Sequence, residues 1–468
     1  LNLLRGLGSV LSTKHSYLKS MTPFAYKALL RTSNEIPEEV DVSLGRRRSR
    51  GSKGINCTLE DRVLKALVAM EGKGLIGGAQ VAVMQHGLCT CDVAFGRESP
   101  YTRHPVTSKT LFNVFSVTKG VVAALVHLYV QRGKLAYGDT IGQHWPQFCD
   151  AGTGLDSKQR AAKAAITVRM VLRHQSGLHD AGSAAMKEAP FALASWDDML
   201  RAMEKSAASG GGPDEESRYH YLSFGWLLGG LLEKIDGRPF AEMVRDEIAR
   251  PLGLVDQLVI GVDPACVERC FTDSGGGLAV ITSSLDKAQL RAQRPAAAEG
   301  GVTGAESSAG ANQPAGGALE SDMLMLMSPT LFNHPKFRTG VIPSANGHCS
   351  ARGLATFFGS ILCGPGDDES RIGFTAKTAK IMRDGEDAFA VEDTAKFGYG
   401  FQRFDMGDTA SAFGHAGVGG SLAFCDPASG TSVAITLNKL SLHCEPTKLL
   451  LDEICDELPE LRTFSGYS

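Results

Sequence analysis

Long apolar runs are missing from this chain of 468 residues. The longest, at about 121–130, is broken by His127. It falls far short of the ~20 residues that span a bilayer as a helix, so no transmembrane helix is expected. An excess of one charge is also absent. Lys and Arg total 48 against 51 Asp and Glu, a net charge of −3. No strong field therefore draws nucleic acid or an anionic membrane to the chain. The eleven cysteines form no framework spacing; Cys89 and Cys91 are separated by one residue, Cys266 and Cys270 by three. No CxxC, HxH or HExxH pattern accompanies them, so no metal or other cofactor is expected. The thiols read as free groups in a reducing compartment, inside a cell or organelle rather than secreted. There is no internal repeat and no secretory signal pattern at the start. Leu1 in place of Met reads as a fragment or a processed product. The G-x-S-x-G elbow of α/β-hydrolases is missing as well. Its nearest approach, Gly419-Gly420-Ser421-Leu422-Ala423, fails at the last position.

What is present is enough to fold. Hydrophobic residues make up 43% and charged residues 21%, close to globular averages, so a sizeable core is within reach. Residues 1–58 read as helical pieces and a linker, with the basic run Arg46-Arg47-Arg48-Ser49-Arg50 in it. A globular pattern starts near residue 59. An amphipathic helix is expected over 58–70, and strands over 77–83 and 91–96 around a turn at His86-Gly87. A long helix follows over 116–131, stopped by Gly133. Further helices are expected over 167–174, 196–207, 223–236 and 239–250. Residues 286–320 are rich in Ala, Gly, Ser and Pro and read as a disordered insert. A helix over 350–362, strands over 400–404, 421–426 and 431–438, and a helix over 446–457 close the chain. The expected architecture is α+β. A sheet part from about 59–140 and 340–468 would enclose an inserted all-helical part over about 141–339.

Three places could carry chemistry. In Phe115-Ser116-Val117-Thr118-Lys119, the serine and lysine lie three residues apart at the head of the long helix, on one face. An amine there can take the hydroxyl proton, and a helix N-terminus favours developing negative charge. The S-x-x-K spacing also occurs at Ser16/Lys19 and Ser284/Lys287, but neither of those opens an apolar helix. A plain N-cap serine with an exposed lysine is the bland alternative. Next, Tyr221-Leu222-Ser223 precedes another apolar helix, where a phenol beside an amine could move protons. An aromatic there is otherwise packing. Last, His415-Ala416-Gly417-Val418-Gly419-Gly420-Ser421 is a glycine-rich run at a strand edge. It would present backbone N–H groups to a ligand. A turn histidine is its bland reading.

These three elements, in this order, resemble the serine β-lactamase and penicillin-binding-protein superfamily, and most of all its class C-like, esterase-related branch. Leu172-Arg173-His174-Gln175-Ser176-Gly177-Leu178, Pro251-Leu252-Gly253-Leu254, Ser350-Ala351-Arg352-Gly353-Leu354-Ala355 and Phe397-Gly398-Tyr399-Gly400 are similar to further family segments. The resemblance runs over about 59–460 apart from the insert. It implies a β-lactamase-like domain at 59–468, with an antiparallel sheet flanked by helices, acting as a serine hydrolase through an acyl-enzyme. It also implies roles. Ser116 would be the nucleophile, Lys119 its base and Tyr221 a proton carrier. His415, Ala416 and Gly417 would replace the family's Lys-Thr-Gly. The N–H groups of Ser116 and Val418 would form the oxyanion hole, and Gly417 and Ser223 would line the substrate site.

Two departures bear on substrate. Ser223 stands where the family has an asparagine, and His415 where it has a lysine. Both argue against penicillin and for a small neutral ester or amide. Arg338-Thr339-Gly340 and Tyr219 are lesser rivals to His415 and Tyr221. His174 and Trp226 read as core or supporting groups. Residues 1–31 resemble the tail of a UbiB-like atypical kinase. A regulatory or binding module serving a kinase-like partner is therefore the alternative to an enzyme, and a true β-lactamase or D,D-peptidase comes third.

Overall fold

Side chains along a strand alternate between faces, and Gly78–Gln85 (β1) uses both. In the computed structural model Ala79, Val81 and Val83 enter one apolar layer, and Ala82 and Met84 enter another. The structure describes residues 57–149, 154–189, 191–208, 217–269, 277–283, 329–362, 369–385, 389–391, 395–406, 409–441 and 443–461. The expected insert at 286–320, the arginine run and the kinase-like stretch at 1–31 lie outside them.

β1 turns through His86 and Gly87, both at positive φ (49° and 78°), into Leu88–Gly96 (β2). That geometry matches the right-handed twist of a two-residue hairpin. The other strands are Phe389–Val391 (β3), Ala395–Phe397 (β4), Gln402–Met406 (β5), Thr409–Ala416 (β6), Leu422–Asp426 (β7) and Thr431–Leu437 (β8). Together they form an eight-stranded antiparallel sheet in the order β2-β1-β8-β7-β6-β5-β4-β3. Residues from near both ends of the described chain meet inside it, one strand in from the β2 edge, where Ala79 pairs with Leu437.

Helices cover both faces. On one, Leu59, Val63, Leu67 and Met70 of Cys57–Gly72 (α1) meet Leu450, Leu451 and Ile454 of the last helix. Their three- and four-residue spacing is the apolar stripe of a surface helix. The central helix Thr118–Gln131 (α2) differs. Every residue from Thr118 to Tyr129 is buried, as a helix with apolar residues on all its faces requires. Trp196–Lys205 (α3) and Ser223–Asp236 (α4) lie in the middle of the chain. Ala351–Gly359 (α5) is capped by the Ser350 side chain. It packs on the sheet's second face, where the Ser432 hydroxyl donates to the Ala355 carbonyl at 2.7 Å. Glu445–Glu457 (α6) closes the chain.

The fold is the expected mixture of helices around an antiparallel sheet. Some elements are additions to the expectation. β6 is built from Thr-Ala-Ser-Ala-Phe-Gly-His-Ala, which has little of the β-branched content that marks a strand. Its partners β5 and β7 impose it. The described residues of 141–339 are mostly helical, with two short strands among them. Leu258–Ile260 pairs with Gly347–Cys349, and Thr282–Ser283 with Lys439–Leu440. The helix expected over 239–250 is α-helical at Phe240–Val244 and a wider turn at Arg245–Ala249. It stops at Pro251, which has no N–H to extend it. Among the described residues no helix is long and apolar enough to cross a membrane. No group of three His, Cys, Asp or Glu could hold a metal ion there, and Cys89, Cys91, Cys349, Cys425 and Cys444 are free thiols.

Candidate active site

The approach to α2 sets the site. Phe115–Val117 makes one tight turn before the helix, with Phe115 at φ +47°. That left-handed value costs a bulky residue roughly 1 kcal/mol or more. The surroundings hold it in place. Asn113 Oδ1 accepts the Phe115 N–H at 3.0 Å. The Gly347 N–H donates to Thr118 Oγ1 at 2.9 Å, and Thr118 donates in turn to the Phe115 carbonyl at 2.5 Å. Ser116 thus stands at the head of α2, 6% exposed. Peptide dipoles there favour a developing anion.

Lys119 is fully buried. Its Nζ lies 3.2 Å from Ser116 Oγ, 2.7 Å from the Tyr221 carbonyl and 3.1 Å from the Ser344 carbonyl. These contacts serve either charge state. An ammonium has three N–H groups for three oxygens. A neutral amine keeps two of them on the carbonyls and turns its lone pair to the Ser116 hydroxyl.

The Ser344 carbonyl is itself anchored. The Ser344 hydroxyl donates to the Leu222 carbonyl at 2.7 Å and accepts the Gly225 N–H at 2.7 Å. Gly225 makes that approach possible, since a Cβ there would lie 2.6 Å from the Ser344 nitrogen.

The other expected residues separate into those that gather here and those that do not. Tyr221 reaches Lys119 through its carbonyl, and its ring stands edge-on to Tyr219 at 4.9 Å. Ser223 turns away, its hydroxyl 3.4 Å from the His179 carbonyl. It is buried at the first residue of α4. His415 ends β6 inside the site, 2% exposed. Burial first, and the Lys119 charge second, push its pKa down to about 3, so its imidazole is neutral. Its Nδ1 lies 2.7 Å from the Ala416 carbonyl, which can only accept. Nδ1 therefore carries the proton, and Nε2 accepts from the Tyr219 hydroxyl at 3.3 Å.

Gly417 sits against the turn that carries Ser116. A Cβ there would collide with the Val114 carbonyl oxygen. The Gly417 N–H is taken by the Ser421 carbonyl at 2.7 Å. Val418, half-buried, packs on the apolar layer that contains Val114 and Phe115. Arg338 is not at the site. It is buried, with Nη2 on the Ala279 carbonyl at 2.9 Å and on Asn333 Oδ1 at 2.7 Å. Trp226 is core. His174 is buried behind the site with its ring 4.6 Å from that of Tyr219, and its pKa is held well below the ordinary value, chiefly by burial.

One residue escaped the sequence reading, and another was named there only as a rival. Ser344 lies in a loop with no local signal. Tyr219 was set aside for the spacing of Tyr221, yet its ring centroid is 5.0 Å from Lys119 Nζ.

A serine at a helix head, backed by a buried lysine one turn on and bordered by the end of a sheet strand, is the arrangement of a serine hydrolase. The chain belongs to the Beta-lactamase family, whose profile matches residues 61–448. It is 28% identical over 390 residues to the esterase/beta-lactamase LipL of Mycobacterium tuberculosis, covering 81% of each chain. It is 28% identical over 215 residues to esterase EstB of Burkholderia gladioli, covering 42% of this chain and 50% of that one. Among solved structures, a penicillin-binding-protein homologue from Caulobacter crescentus shares 26% identity at a TM-score of 0.64, covering 87% of this chain and 99% of that one. A family VIII carboxylesterase matches the fold at 0.65 with 21% identity, over 86% and 98% of the two chains. The kinase-like reading of residues 1–31 lies outside the family match and gains no support from these relatives.

Proposed function

We propose that this chain hydrolyses small neutral esters or amides through an acyl-enzyme on Ser116. The buried contact between Lys119 Nζ and Ser116 Oγ carries this reading. Neutral Lys119 takes the hydroxyl proton as Oγ attacks the substrate carbonyl. The oxyanion forms against the N–H groups of Ser116 and Val418, donors of a kind worth roughly 10²–10³ in rate each. Collapse breaks the bond to the alcohol or amine, and the proton returns to it from Lys119 by way of the Tyr221 phenol. Water then attacks the acyl-serine, giving its proton back along the same path, and the free acid leaves.

The choice of a neutral substrate follows from the third element. Neutral His415, already engaged on both ring nitrogens, offers no fixed cation to a β-lactam carboxylate. Ser223, facing His179, offers no amide.

Fluorophosphonate labelling of the purified chain beside Ser116→Ala tests the reading. Labelling of the wild type alone supports it, and a screen of esters and amides would then rank substrates. Folded wild type that refuses the label overturns it, and favours the binding-module alternative.

A further inference from the structure

Tyr219 is the hub of the ring cluster around Lys119. Its ring lies 4.6 Å from His174, 4.9 Å from Tyr221, 5.9 Å from Phe397 and 6.1 Å from His415, centroid to centroid. One face looks at Lys119 Nζ and the hydroxyl reaches His415 Nε2. We propose that Tyr219 is a positioning residue that couples the two halves of the site, its ring favouring the Lys119 cation and its hydroxyl locking the His415 imidazole. The inference rests on Ser116 being the nucleophile.

The two ends of the phenol act on different partners. When Lys119 accepts the Ser116 proton, a positive charge appears in a site shielded from water. An aromatic face beside it stabilises that charge more than it would in solvent. At the other end, the Tyr219 O–H must donate, because His415 Nδ1–H is already committed to the Ala416 carbonyl. The ring is thereby held between a phenol and a peptide group. That peptide leads directly into Gly417, pressed against Val114 of the nucleophile turn, and on to Val418. Fixing the imidazole fixes the plane of the Ala416–Gly417 peptide, and with it the direction of the amides beyond. Phe397 closes the box at 5.2 Å from His174 and 5.9 Å from His415.

The test is a double-mutant cycle on an activated ester, with Tyr219→Phe, His415→Ala and the pair. Tyr219→Phe keeps the ring and removes the hydroxyl. Its kcat should fall about tenfold with KM within about twofold, and the loss should vanish on the His415→Ala background, a coupling within the usual range for contacting groups. Tyr219→Leu removes the ring face too and should cost a further factor of about ten. Nitrogen NMR of histidine-labelled protein gives a readout that needs no turnover. Wild type should show the Nδ1–H tautomer at His415, assigned with the His415→Ala protein, and Tyr219→Phe should lose that preference. An unchanged kcat and tautomer in Tyr219→Phe, or effects that simply multiply in the double variant, overturn the proposal. Turnover surviving in Ser116→Ala would instead sink the serine reading, and the tautomer measurement would still decide the place of Tyr219.

Discussion

Lowering the pH from 7 to 5 should bring this protein close to unfolding, through imidazoles it keeps neutral inside. His127 is buried. Its Nε2–H donates to the Tyr399 carbonyl at 2.8 Å and its Nδ1 accepts from the Tyr137 hydroxyl at 2.7 Å. Burial pushes its pKa down to about 4. Burial likewise pushes His220, His348 and His415 down to about 3. In the unfolded chain each titrates near 6.5. The native pKa values are depressed, so the stabilisation is whole above about pH 6.5 and is lost as the pH falls toward 4. At pH 5 each unfolded imidazole holds a proton that the native one refuses. That costs about 2 kcal/mol per histidine, or about 8 kcal/mol for the four. Domains have a total stability of only about 5–15 kcal/mol. His174 acts in the same direction, while Glu98, whose carboxyl burial raises, acts in the opposite one. Urea unfolding followed by tryptophan fluorescence between pH 7.5 and 5 should show stability falling by about 5 kcal/mol per pH unit near pH 5.5. His127→Gln, which keeps a donor and an acceptor, should reduce that slope by about a quarter, or about 1 kcal/mol per unit. A wild-type slope of one proton or less would refute the reasoning.

Two further outcomes follow from the site. Lys119→Met keeps the bulk but leaves the Tyr221 and Ser344 carbonyls without its N–H groups. Ester turnover should fall about 10²–10⁴-fold, and stability by about 1–3 kcal/mol per stranded carbonyl, measured by steady-state kinetics and urea titration. Gly417→Ala forces the end of β6 away from the Val114 carbonyl, a shift approaching 1 Å. Acylation should slow about 10²-fold while the chain still folds, and a burst assay beside circular dichroism would show it.

The parts of the site legible in the sequence were those set by local spacing. Ser116 and Lys119 share a helix face, so three residues of sequence carry their meeting. The His86-Gly87 turn and the largely apolar α2 were legible for the same reason, since each is written in consecutive residues. What escaped, or was named only as a rival, depends on distant chain. Ser344 matters because Gly225 lets α4 approach it. Tyr219 matters because β6 delivers His415 to its hydroxyl, and β6 itself has little intrinsic preference for the strand its neighbours impose. Ser223 was assigned by its spacing from Tyr221, but the orientation of its hydroxyl is decided by the His179 carbonyl, which no spacing reveals.

The pairing of Ala79 with Leu437 also sets an order of events during synthesis. β1 and β2 emerge first, yet the strand that shields the inner edge of β1 is made hundreds of residues later. At about 5–20 residues per second, that edge waits on the order of tens of seconds for its partner. Throughout that time the ribosome presents a two-stranded ribbon with an apolar face and an open row of backbone donors and acceptors. Release of a nascent chain that stops short of Thr431 would make that exposure permanent, so early termination should yield aggregates rather than a smaller folded protein.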